Sequence, residues 1–124
     1  METKENIIDR NLNENAELYL SCGSCLNESL LHMTTYEWEE SLKNKSDKVR
    51  EEAATLFFDV KDKRDRWLNA TLESIIKEID KNKDKLKEGI NKVNQFRQTF
   101  EEVEKFLQAV TELIGIVVKV LAFF

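Results

Sequence analysis

Cys22-Gly23-Ser24-Cys25 is the most compact group of reactive side chains in the sequence. A C-x-x-C spacing serves dithiol exchange or supplies half of a zinc site. Exchange of the thioredoxin kind needs a βαβ frame, and no stretch here alternates strand with helix patterning. Zinc would need two further ligands. His32 is the sole histidine, and Glu28 and Glu37 are the carboxylates placed to complete a set. One histidine and no second C-x-x-C fit a metal centre poorly, so no metal is expected. Cys22 and Cys25 stay as a candidate redox pair. The plainer reading makes them two small apolar residues on the buried side of a helix.

His32 follows Leu30 and Leu31 and precedes Met33. It reads as a partly buried residue at a helix end rather than as a catalytic base. No Ser-His-Asp or Cys-His arrangement accompanies it. The chain lacks a glycine-rich phosphate loop and the paired Glu-x-x-His motifs of di-iron bundles. Its carboxylates fall on charged helical faces, not in apolar settings that shift a pKa. The expectation is a non-enzyme with no catalytic residue, no cofactor and no small-molecule substrate.

The elements that must position these residues are helices. The 124 residues contain no proline and three glycines, and 35% of them are charged. Proline breaks helix interiors and glycine weakens them, so long regular segments are expected. The length suits one domain, residues 1–124. Net charge is −5, with six acids against two bases in residues 1–36 and near balance beyond. Without a dominant basic face, nucleic acid is excluded as a partner. The opening METKENIIDR lacks the apolar core of a signal peptide, which points to the cytoplasm. The sequons at Asn27 and Asn69 then carry no weight.

Three segments show helical spacing. In the first, Ile8, Leu12, Ala16, Tyr19, Leu26, Leu30 and Met33 recur mainly at threes and fours, with Gly23 as a point of bending. The second opens at Thr34, where Glu37 completes a capping box, and continues through Trp38, Leu56, Val60, Trp67, Ile75 and Ile79. A polar gap at residues 42–47 allows a break, with Ser46 or Asp47 as a fresh cap. The third runs from about residue 84 to the end. Leu86, Ile90, Val93, Phe100, Val103, Leu107, Val110, Ile114, Val117, Leu121 and Phe124 step by three and four with one gap at Arg97, and Ile79, Leu86, Val93, Phe100, Leu107, Ile114 and Leu121 lie seven apart. That heptad marks a packed seam. Residues 80–85 read as a turn, the alternative being a solvated stretch of one continuous helix. The expected fold is therefore all-α: an antiparallel hairpin of residues 35–80 and 84–123, with an N-terminal helix packed on it as a three-helix or coiled-coil-like bundle.

The closing stretch adds a demand of its own. In residues 106–124, Gln108, Glu112, Gly115 and Lys119 form one narrow polar stripe, and nearly everything else is apolar. A helix that apolar must be covered on several sides. This predicts a protein-interaction or assembly module. Its interaction seam would be Phe100, Val103, Leu107, Val110, Ile114, Val117, Leu121 and Phe124, used to form a homo-oligomer or to bind a helical partner. The alternative is a membrane-active protein, peripheral to the bilayer, that inserts residues 106–124. A spanning helix needs about 20 apolar residues, and Glu112 and Lys119 interrupt this stretch.

Overall fold

The computed structural model describes residues 4–122 and 124, with side chains from residue 12 onward. Ile8 and residue 123, both part of the patterns above, fall outside the described side chains. Among the described residues there are six helices and no strand. They are α1 (Lys4–His32), α2 (Tyr36–Leu42), α3 (Asp47–Asn69), α4 (Leu72–Lys81), α5 (Lys83–Phe96) and α6 (Val103–Leu121). The all-α bundle expected from the spacing is what the chain forms.

The two arms are subdivided more finely than the spacing suggested, and each break has a local cause. The side-chain oxygens of Thr35, Ser46 and Thr71 accept hydrogen bonds from the backbone N–H groups of Trp38, Val49 and Ser74, at 3.2, 3.2 and 3.3 Å. Each satisfies an N–H that the first turn leaves without an intrahelical partner. The first cap is Thr35, one residue later than the capping box placed it. Thr34 instead turns its hydroxyl back to the carbonyl of Leu31, closing α1. Ser46 caps as expected. The third break, at Ala70, was not anticipated. There the Tyr19 hydroxyl donates to the Ala70 carbonyl at 2.8 Å, and the Trp67 indole N–H donates to the Tyr19 carbonyl at 2.9 Å.

Long-range pairs set the directions. Arg64 donates to Asn27 and Trp67 to Tyr19, so α1 and α3 are antiparallel. Glu14 pairs with Lys87 and Glu28 with Arg97, so α1 and α5 are parallel. Lys92 faces Glu112, and a Cβ at Gly89 would lie 3.3 Å from the Leu113 side chain, so α5 and α6 are antiparallel. The four long helices thus form a ring in the order α1, α3, α6, α5, with α4 packed on α1 and α6 at one end. The tight hairpin is α5–α6, closed by residues 97–102, and α3 runs in the same direction as α6. Asn82 alone separates α4 from α5, and helical backbone hydrogen bonds run through it from Glu78 to Leu86, so residues 80–85 form no tight turn. Gly23 does not bend α1. It faces Trp67, and a Cβ there would sit 3.4 Å from the indole, so its missing side chain lets α1 and α3 approach closely.

One connected core runs through the bundle. Trp67, Phe106, Leu26, Ile75, Ile79, Leu86 and Leu113 are its largest fully buried side chains. At the end opposite α4, His32, Trp38, Phe100 and Phe106 stack together. The His32 and Phe100 rings are nearly parallel with centroids 4.4 Å apart, and Phe106 follows at 4.7 Å from His32.

Candidate functional site

Cys22 and Cys25 are both free and buried on the core side of α1. Burial pushes both thiols up. Cys25 rises to about 11, with Arg97 and Ser29 pulling partly the other way, and Cys22 is raised further. Thiolate is the reactive form, so this environment suppresses dithiol exchange. The pair is placed as small core residues, which counts against the redox reading. Among the described residues no group of three or more His, Cys, Asp or Glu is arranged to hold a metal ion.

The anticipated interaction seam lies mostly inside the bundle. Val103, Leu107, Val110, Ile114, Val117 and Leu121 are buried within this chain's own bundle. The helix they sit on is covered by α5, α3 and α4. Phe100 packs on His32, and only Phe124 is largely exposed. The physical reason is the loop at residues 97–102. It folds α6 back on α5, so an apolar surface too wide for one seam is covered from several sides internally. No described helix is long and apolar enough to cross a membrane.

What α6 leaves open is its polar stripe. Between α3 and α6 lies a surface groove of about 680 Å³. Glu51, Glu52 and Asp59 line it from α3, and Glu104 and Glu112 from α6, with Lys48 the single base of the lining. Leu56 and Leu107 form its floor. Lys45 bonds Glu104 at 3.0 Å at one end and holds that carboxyl below its usual range. Asp59 is paired with Lys63 at 3.0 Å, and Glu112 faces Lys92 at 3.8 Å. Glu51 and Glu52 have no ion-pair partner among the described residues. The helical repeat explains the groove: on α3 these acids flank the core-facing positions Ala53, Leu56 and Val60, and the α6 stripe faces them. The stripe was legible in the sequence, whereas its α3 counterpart depends on which helix lies beside α6.

A second cluster joins α1 to α5. Ser29 and His32 on α1 lie on the side of that helix that faces α5, which carries Asn94 and ends at Arg97. Ser29 Oγ, His32 Nε2, Asn94 Oδ1 and Arg97 Nη1 are all buried without a hydrogen-bond partner among the described residues. Arg97 Nη2 bonds Glu28 at 2.6 Å. Burial, and then the Arg97 charge, lower the His32 pKa. His32 was expected at a helix end, and it is there. Ser29 and Asn94 carry no mark in the sequence, whereas Arg97 is the one gap in an otherwise apolar series of threes and fours. A charged residue at a seam position was the signal available.

Known protein families, curated proteins and solved structures contain no match to this chain.

Proposed function

We propose that this chain is a non-enzymatic helical interaction module that receives a basic, amphipathic helical segment of a partner protein in the α3–α6 groove. The carrying observation is the composition of that groove: five carboxylates against one lysine in its lining, over a floor of Leu56 and Leu107. A segment with lysines or arginines flanking an apolar stripe matches both features, and helix-in-groove recognition uses that combination. From Lys48 to Asp59 the groove extends about 16 Å at 1.5 Å per residue, enough for roughly three turns of a docked helix. Rim charges of this kind steer encounter and select the partner more than they add affinity. With both thiols suppressed and the apolar face of α6 consumed internally, the outer groove is the surface best suited to recognition.

The test uses a fluorescent amphipathic lysine–leucine peptide of about three turns, titrated with the full chain. Binding should be saturable and should weaken steeply with salt. The Glu51→Lys/Glu52→Lys double variant should weaken it about tenfold or more. A Glu37→Lys/Glu39→Lys control on α2 should change it less than about twofold. Equal losses in the two variants would reduce the binding to bulk charge and overturn the groove. Sedimentation at several concentrations runs alongside. Concentration-dependent dimers that the groove variants abolish would make a second copy the occupant instead.

A further inference from the structure

We propose that Ser29, His32, Asn94 and Arg97 form a binding site for one small oxyanion, at the seam of α1 and α5. Four of the five buried side-chain polar atoms without a partner among the described residues belong to these four residues. Buried polar groups are almost always hydrogen-bonded, and such a concentration calls for a ligand that serves several at once. Ser29 is 1% exposed and His32 8%, so neither side chain is solvated from outside.

The chemistry of the four atoms selects the ligand. The guanidinium offers Nη1–H, the serine its hydroxyl, and the imidazole an N–H at Nε2 in the matching tautomer. The Asn94 amide turns either its oxygen or its nitrogen inward by a flip. Three or four donors supplied by two neighbouring helices suit an acceptor with several oxygens. The fixed charge on Arg97 repels a cation and favours an anion. Glu28 holds the other terminal nitrogen, Nη2, at 2.6 Å, which orients the guanidinium without occupying Nη1. A groove of about 450 Å³ between the same two helices, lined in part by Ser21, Ser24, Cys25 and Glu28, reaches this cluster at Asn94. The hydroxyls and amides of that groove admit a polar solute. This site is independent of the α3–α6 groove and survives the failure of that reading.

His32 is the only histidine, so the imidazole nitrogens of the labelled full chain give one unambiguous NMR reporter. The probes are sodium phosphate and, separately, sodium acetate, at pH 7.5 and at ionic strength held constant with sodium chloride. A saturable shift at His32 Nε2 and at the Arg97 side-chain N–H is expected with at least one probe, and the stronger arm identifies phosphate or carboxylate as the class. Ser29→Ala should weaken the binding at least fivefold, and Arg97→Gln should abolish it. If Arg97→Gln does not fold, Ser29→Ala carries the result. A linear drift without saturation, as a site holding only water would give, overturns the proposal. So does a titration that Ser29→Ala leaves unchanged.

Discussion

His32 shows how one residue's surroundings turn into a dependence on pH. Its ring is stacked on Phe100, flanked by Phe106 and Trp38, and faced by the Arg97 charge. Burial and that charge both disfavour the imidazolium, so the folded-state pKa lies below the ordinary 6.5. The unfolded chain then binds a proton that the folded one refuses. Stability conferred by neutral His32 is therefore complete above about pH 6.5 and is lost as pH falls toward the lowered folded value. One proton of difference makes the slope at most about 1.4 kcal/mol per pH unit. Urea unfolding of the wild type should weaken between pH 7 and pH 5 by more than that of His32→Gln. Parallel curves for the two would contradict the placement of the ring. The carboxylates held low by lysines, Glu14 and Glu104 among them, titrate below this window and affect both proteins alike. At this scale the sequence was a fair guide for His32, because an isolated histidine among leucines belongs at a buried helix end. It was silent on Ser29 and Asn94, whose polar side chains look like ordinary surface residues until a second helix covers them.

Element boundaries come from short side chains that bond to the backbone. Thr35, Ser46 and Thr71 each open a helix, and two of the three stood beside or on a position the sequence had marked. Thr71 is the informative case. Apolar spacing slips from three and four to five between Trp67 and Leu72, and that slip is the break. No proline or glycine announces it, because the Tyr19 hydroxyl and the Thr71 cap supply the partners that freed backbone groups need. Thr71→Ala should cost about 1 kcal/mol, with a range of roughly 0.5–2. Thr71→Ser should restore most of it, read from urea midpoints at unchanged slope. A neutral Thr71→Ala would mean that the α3–α4 break is held by Tyr19 and Trp67 alone. The loop at residues 97–102 was harder to foresee. Phe100 keeps the heptad phase of the helices on either side while sitting in the connection between them, so periodicity ran straight through a reversal.

At the scale of the whole molecule, the closing helix sets the stability. Ile114 is 5% exposed and Val117 and Val110 are fully covered, so the apolar run at the end is interior to the bundle. Ile114→Asp buries a charge with no opposite partner at that depth and should abolish cooperative unfolding and near-ultraviolet circular dichroism. Gly115, the next residue, has nothing within 4 Å of an added Cβ. Gly115→Ala should therefore stabilise by about 0.5–1 kcal/mol through helix propensity. If Ile114→Asp stays folded while Gly115→Ala destabilises, α6 is rotated from the orientation described.

Helix content, the helical phase of each segment and the excess of apolar surface on α6 were all readable along the chain. They rest on interactions within a few residues: absent prolines, threes and fours, and short polar caps. Which surface meets which was not readable, because a heptad seam looks the same whether it faces a second copy, a membrane or the chain's own next helix. The reversal at residues 97–102 turned α6 onto α5, the bend at Ala70 carried α4 to the end of the bundle, and α3 was left beside α6. Those three placements put the seam inside. They also brought two acidic faces together as one groove and set the polar pair Ser29 and His32 of α1 beside the distant pair Asn94 and Arg97.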